Sequence, residues 1–354
     1  MVIYISGLVL SVTFAFCSTH IHTVGSGSMR RRSIKTFFAI LSFIPLTFIM
    51  AVRRGVGTDY GGYWRWFYGT RDSLEPAFKW LNATLRWFKN DPQLIFIVCA
   101  IIICGRYFIA IYRESVNPVY SVLLFVLCKD YFIAMNLMRQ YVAGTIMLFA
   151  IPYIKERKLL KFLIVLAVAV SFHKSAIIFV FLYILYAVNL RPLIAGGIIT
   201  GGFLFSAIAI RFILPLMNRI QFYAGYLSQS SKYCNTTGGI SASLILIYLC
   251  FFILLAYIYK RVENNKNLKL MYSVVVMSLI MLSFGSVMPI NFGRLSYYMN
   301  AFVVIYIPEA ILSIDDRNLR RFIRIAIVVL YTIVTTSAIM SGNQGVLPYK
   351  TMWG

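Results

Sequence analysis

Acid is what this chain has least of. Eleven Asp and Glu stand against thirty-four Lys and Arg in 354 residues, a formal net charge of +23. Charged residues of both signs make up 13%, where soluble domains carry about 25%. With a mean hydropathy of +0.79, a soluble globular fold is excluded. The chain has three histidines and six cysteines. Cys17, Cys99, Cys104, Cys128, Cys234 and Cys250 form no CxxC and no Cys/His cluster, so neither a metal site nor a disulfide framework is implied. No A-x-A-like cleavage site follows the first apolar run, which therefore reads as a span. No internal repeat, inverted or parallel, is detectable, and this weighs against a transporter, since many transporters are built from two related halves. The apolar runs do not alternate with polar residues, which excludes a membrane barrel.

What is present is a succession of continuous apolar runs, at 1–17, 35–52, 93–112, 118–128, 140–154, 159–171, 175–189, 193–215, 241–259, 270–289, 296–313 and 322–341. A span of roughly 20 apolar residues matches a hydrocarbon core of about 30 Å. The expectation is an all-α polytopic membrane protein of about 10 to 12 transmembrane helices, one transmembrane domain over 1–354 with an outer loop at 53–92. The runs 118–128, 140–154 and 159–171 are short, implying broken helices around an outward-facing cavity.

Much of the positive excess is topological, so no nucleic-acid partner is implied. Compact basic clusters occupy alternate loops, at Arg30–Lys35, Arg113, Lys155–Lys161, Arg191, Lys260–Lys269 and Arg317–Arg324. The positive-inside tendency puts these in the cytoplasm and the N-terminus outside, with Gly25–Ser28 as a cytoplasmic linker. The other face holds the loop from Arg53 to Asp91, Lys129 to Arg139, His173-Lys174, Arg219 to Lys232, and Arg294. Its acids are Asp59, Asp72, Glu75, Asp91 and Asp130. A face so rich in cations suits an anion such as phosphate and suits Mg²⁺ poorly. No metal or cofactor is expected.

Four stretches on that face carry candidate chemistry. In Arg53-Arg54-Gly55-Val56-Gly57-Thr58-Asp59-Tyr60-Gly61-Gly62-Tyr63-Trp64, glycines let the backbone approach a ligand and two arginines supply charge. In Met135–Ala143, helical spacing places Asn136, Arg139, Gln140 and Ala143 on one face, a guanidinium fork flanked by two amides. His173 and Lys174 interrupt an apolar run and offer a proton carrier and an anion ligand. Arg294 stands between glycine and aromatics before another span. Trp64, Trp66, Trp80 and Trp87, interleaved with Arg65, Arg71, Lys79, Arg86 and Lys89, fit either an interfacial helix or stacking on sugar rings. Gly197 and Gly201 form a GxxxG, read as helix packing.

Taken in order, Arg54 with Gly57-Thr58-Asp59-Tyr60 and Tyr63, Asn136-Leu137-Met138-Arg139-Gln140 with Ala143, His173-Lys174-Ser175-Ala176, and Gly293-Arg294 before Tyr297-Tyr298 resemble the EpsG-like family. These are polysaccharide polymerases related to the Wzy O-antigen polymerases, and the resemblance covers about residues 53–298. It implies an inner-membrane glycosyltransferase acting on the periplasmic side. Such an enzyme moves a growing glycan from its undecaprenyl-diphosphate carrier onto the next lipid-linked repeat unit, with inversion. The implied partners are the lipid-linked donor and acceptor, membrane lipids, a chain-length regulator and a flippase. Arg139 and Arg294, with Arg53 or Arg54 and with Lys174, would hold the diphosphate. His173, ahead of Asp59, would be the base. Gly57, Thr58, Tyr60, Tyr63, Asn136 and Gln140 would shape the loop and the sugar path. A lipid-linked oligosaccharide flippase would spread its cations along a central path, and an O-antigen ligase would carry a large outer loop late in the chain; both remain alternatives.

Overall fold

Backbone amides find no water inside a bilayer, so a chain this apolar has to close its hydrogen bonds within helices. The computed structural model, which describes residues 1–20, 28–69, 73–219, 242–285 and 293–354, is 83% helical. Among the described residues there is no strand, only an isolated antiparallel bridge between Arg53 and Thr351. The Gly25–Gly27 linker, Arg71 and Asp72, and the basic residues between Arg219 and Lys232 lie outside the described residues or side chains.

In chain order the helices are α1 (Val2–His20), α2 (Ser28–Val52), α3 (Tyr60–Phe67), α4 (Pro76–Phe88), α5 (Gln93–Glu114), α6 (Pro118–Leu127), α7 (Asp130–Asn136), α8 (Met138–Met147) and α9 (Ile151–Lys155). They continue as α10 (Leu159–Phe172), α11 (Phe179–Ala187), α12 (Pro192–Arg219), α13 (Ala242–Tyr257), α14 (Tyr259–Asn264), α15 (Lys266–Gly285), α16 (Tyr297–Leu312) and α17 (Arg317–Met340). Among the described residues, six helical stretches are long and apolar enough to cross a membrane: Val2–His20, Arg32–Val52, Gln93–Glu114, Lys266–Gly285, Gly293–Leu312 and Arg317–Met340. Helices α6 and α7 form one more apolar pair, bent by 51°. Leu159–Phe172, Lys174–Ala187, Pro192–Ser206 and Ala242–Tyr257 are shorter apolar helices. The protein is an all-α, multi-pass membrane protein.

The break between 118 and 154 is more structured than the sequence suggests. Lys129 takes a left-handed conformation at φ 68°, which ends α6 and redirects the chain into α7. Asp130, fully buried at the start of α7, accepts hydrogen bonds from Tyr107 (2.8 Å) and Tyr141 (2.9 Å). Two phenolic donors satisfy a carboxylate that apolar surroundings alone would not tolerate.

The chain forms two compact units, one made of Met1–Tyr153, Lys158–Ile177 and Val304–Gly354, the other of Ile154–Arg157 and Ile178–Val303. In the first, α2 packs on α1 and α5, α6 on α1 and α17, and α10 on α8 and α4. The segment after α17 folds back onto the end of α2. Arg54 N donates to Lys350 O (2.9 Å), Met352 N to Val52 O (2.8 Å) and Gly57 N to Gly345 O (2.8 Å). The carboxy-terminal segment, which hydropathy alone leaves without a role, is therefore part of the scaffold of the 53–59 loop. In the second unit α15 is the central helix, with 83% of its apolar window buried, and α11, α12, α13 and α14 pack on it. Its small-residue contact is not the expected one. Gly197 and Gly201 have open space around them, whereas a Cβ on Gly202 would lie 2.7 Å from Ser283 Oγ.

Candidate functional site

The polar loops at one end of the first unit converge on two arginines, each buried in its own way. Arg53 follows α2 and is fully buried. Its Nη2 donates to Met135 O at 2.7 Å, and its guanidinium lies 5.3 Å from the Phe96 ring centre. Nε and Nη1 are buried with no hydrogen-bond partner among the described residues. Desolvation disfavours its charged form and pushes the guanidinium pKa down. Arg53 is thus a core residue in this structure, closed to an outside ligand.

Beyond it the loop is fixed by geometry rather than charge. Gly57 sits at φ 106°, and a Cβ there would lie 2.7 Å from Asn136 Oδ1. That oxygen accepts from Thr58 Oγ1 (3.2 Å) and Asp59 N (3.4 Å). Asn136 Nδ2 donates to the Gln344 main-chain oxygen at 2.9 Å. The loop, α7 and the carboxy-terminal segment are therefore knotted at one amide. Asp59 is half-buried at the start of α3. Tyr60 is buried, with its hydroxyl 3.3 Å from Gln93 Oε1 and its ring stacked on Phe96. Arg54 is exposed, 5.7 Å from the Trp64 ring centre.

The second arginine has an acid. Leu137 (φ −92°, ψ 45°) separates α7 from α8, so Asn136 and Arg139 do not share one helical face as their spacing suggests. Asn136 serves the loop, while Arg139 ion-pairs through Nη1 with Glu75. The aromatic rings of Trp66 and Phe78 lie 5.1 and 5.9 Å from the Arg139 guanidinium. Tyr63 is buried between these rings, and Arg139 N approaches its hydroxyl at 3.5 Å. Gln140 is buried in the same helical turn.

Glu75 is the centre of the cluster. Its side chain is 6% exposed. His173, which ends α10 in an extended conformation, places Nδ1 2.9 Å from Glu75 Oε1, and Lys174 N donates to the same oxygen at 3.4 Å. Burial alone would raise the carboxyl pKa, but the hydrogen bond from His173 and the charges of Arg139 and His173 outweigh it and hold it at about 2. Glu75 is therefore ionised at neutral pH and can only accept. The hydrogen bond to an accepting carboxylate is then donated by His173 Nδ1–H, which leaves Nε2 as the ring nitrogen turned away from Glu75.

Sequence spacing did not single out Glu75. One signal was present: it is one of few outer acids and immediately precedes Pro76. Proline favours the first helical position and forces its predecessor into extended backbone, here φ −64° and ψ 146°. That puts Glu75 at the mouth of α4, with its side chain turned toward α8 and α10. Arg294 lies in the second unit, in the 3₁₀ turn Gly293–Ser296. Among the described residues no group of three His, Cys, Asp or Glu is placed to hold a metal. Trp80, Trp87 and Phe88 on α4 are exposed.

The EpsG family model matches residues 36–351 of the chain, a stretch that includes every residue of this site. No curated protein and no solved structure is matched.

Proposed function

Because this chain belongs to the EpsG family, a family of Wzy-type polysaccharide polymerase-like membrane proteins, we propose that it polymerises undecaprenyl-diphosphate-linked oligosaccharide repeat units on the periplasmic face of the inner membrane. The observation that carries this reading is the Glu75–His173 hydrogen bond with Arg139 behind it. It is a base held by an orienting carboxylate, as proton abstraction from a hydroxyl requires.

In the reaction, His173 Nε2 takes the proton of the acceptor sugar hydroxyl as its oxygen attacks the donor's anomeric carbon. The bond from that carbon to the lipid diphosphate breaks, and its electron pair leaves on the diphosphate oxygen. The anomeric centre inverts. Glu75 stabilises the imidazolium, and Arg139 keeps Glu75 anionic. Arg54, exposed at the loop, and Lys174 are the cations assigned to the leaving diphosphate. The outer placement is supported by the alternating basic clusters. It is also supported by the meeting of the 53–92 loop, the α7–α8 and α10 breaks and the carboxy-terminal segment at one end of the first unit.

The test is an in vitro reaction of purified protein with its lipid-linked repeat unit, followed by glycan length. Wild type is expected to give ladders, and His173→Ala and Glu75→Gln to give none. Movement of the lipid across liposomes without longer product would replace the polymerase with a flippase.

A further inference from the structure

The far end of α5 carries a charge that neither the scaffold nor the proposed reaction uses. Arg106 lies 13 residues past Gln93, about 20 Å along the helix from the loop site. It is also eight residues, about 12 Å, short of Glu114 at the other end. It sits inside the span Gln93–Glu114 and is half-buried. Among the described residues its recorded partner is the ring of Phe149, 3.7 Å from the guanidinium to the ring centre, and no ion pair or hydrogen bond is made. A charge at that depth costs several kcal/mol unless something meets it. Escape to the nearer interface is hindered by helix geometry, because Cα–Cβ bonds tilt toward the N-terminus, here deeper into the membrane.

Arg106 opens onto a small cleft of about 30 Å³ lined by Ile109, Ala110, Thr145, Leu148, Phe149 and Pro152, with Arg113 and Glu114 on its wall. Glu114 accepts from Tyr306 at 2.9 Å. Two guanidinium groups and one carboxylate leave the cleft with one net positive charge, apolar on its inner side.

We propose that this cleft binds the phosphate of an anionic amphiphile, with Arg106 as the deep ligand, Arg113 at the rim and the acyl chain along Ile109, Leu148 and Phe149. The shared chemistry is a phosphate ester, met by a guanidinium that forms charge-assisted hydrogen bonds. The site does not depend on the polymerase reading.

The experiment uses the full chain in detergent, read by thermal unfolding and native mass spectrometry. Dioleoyl phosphatidylglycerol, the phosphatidylcholine with the same chains, and inorganic phosphate are added separately. Phosphatidylglycerol is expected to bind at least about tenfold more tightly than phosphatidylcholine, and Arg106→Gln to remove that preference. Ile109→Trp, at an exposed position, should block the cleft with both arginines intact and lose the preference as well, which decides the matter if Arg106→Gln does not fold. A shift of equal size from inorganic phosphate would assign the same site to a free anion. No preference for the anionic lipid in wild type, or an undiminished preference in a folded Arg106→Gln or Ile109→Trp protein, would overturn the proposal.

Discussion

Arg53 and Arg139 are both buried at the same end of one unit, yet one has an acid and the other does not. Arg53 meets a main-chain oxygen, a thioether and an aromatic ring. Arg139 meets Glu75. The loop around Arg53 is held by backbone hydrogen bonds and the Asn136 amide, so it keeps its shape whatever the charge state. The cluster around Arg139 is held by charge, so its shape and its protonation are linked. A fixed wall beside a chargeable centre is the arrangement a proton-transfer site needs.

The largest expected effect separates the two arginines. Arg139→Met leaves Glu75 buried without its cation and should destabilise by about 3–5 kcal/mol, the usual cost of breaking a buried pair from one side. Arg53→Met removes a guanidinium that no acid balances, at the cost of its hydrogen bonds to Met135 O and the Met138 sulfur, and should cost far less than Arg139→Met. Thermal unfolding of the two variants in one detergent checks this, and equal losses would erase the distinction. Glu75→Ala should resemble Arg139→Met.

The next effect is pH dependence. Folded Glu75 holds its proton less tightly than the unfolded carboxylate, about 2 against a reference value of 4.5. Between these values the unfolded state binds more protons, so stability falls as pH falls through that window. The contribution, about 3 kcal/mol when fully present, is complete above pH 4.5 and lost toward pH 2. Unfolding free energy measured from pH 6 to 3 should show this slope in wild type and lose it in Glu75→Gln, while Asn136→Ala, in the loop knot, should leave the slope unchanged.

The loop makes the opposite demand, which is steric. Gly57→Ala forces a side chain into φ 106° and against Asn136, and should cost about 1–3 kcal/mol. Gly55, at φ 66° with open space around it, carries only the left-handed penalty, and its alanine variant should cost about 1 kcal/mol. If the two variants unfold at the same temperature, the Asn136 contact does not hold the loop.

These contrasts show which parts of the molecule could be read from the sequence. Composition and apolar runs are enough for an all-α membrane protein, because burying backbone in lipid leaves few other solutions. His173, Arg139, Asp59 and the glycine loop stand out as polar interruptions of apolar surroundings. The pairing is what spacing does not reveal. Glu75 and His173 are 98 residues apart, and the Leu137 break that turns Arg139 away from Asn136 has no glycine or proline to announce it. Gln344 and Gly345 are illegible for the same reason, since hydrogen bonds between segments more than 200 residues apart leave no local periodicity. Arg106 lies within the run 93–112, which reads simply as a span, and only the fold shows that it faces a cleft.

The smallest expected effect on stability is at Arg54. Its side chain is exposed and its recorded side-chain contact is the Trp64 ring, so Arg54→Ala should change unfolding by no more than about 0.5 kcal/mol. The main-chain bond from Arg54 N to Lys350 O survives the substitution, so the loop keeps its anchor. If Arg54 meets the diphosphate, the loss falls on the reaction instead, as a rise of several-fold in the lipid-linked substrate concentration needed for half-maximal rate. Added salt should shrink the gap between wild type and variant, because an exposed cation is screened over a Debye length of about 10 Å at 0.1 M. His173→Ala is the reference. It should stop elongation at every salt concentration, since a missing base cannot be offset by substrate. A variant at Arg54 that behaved like His173→Ala would move this arginine from the wall of the site to its centre.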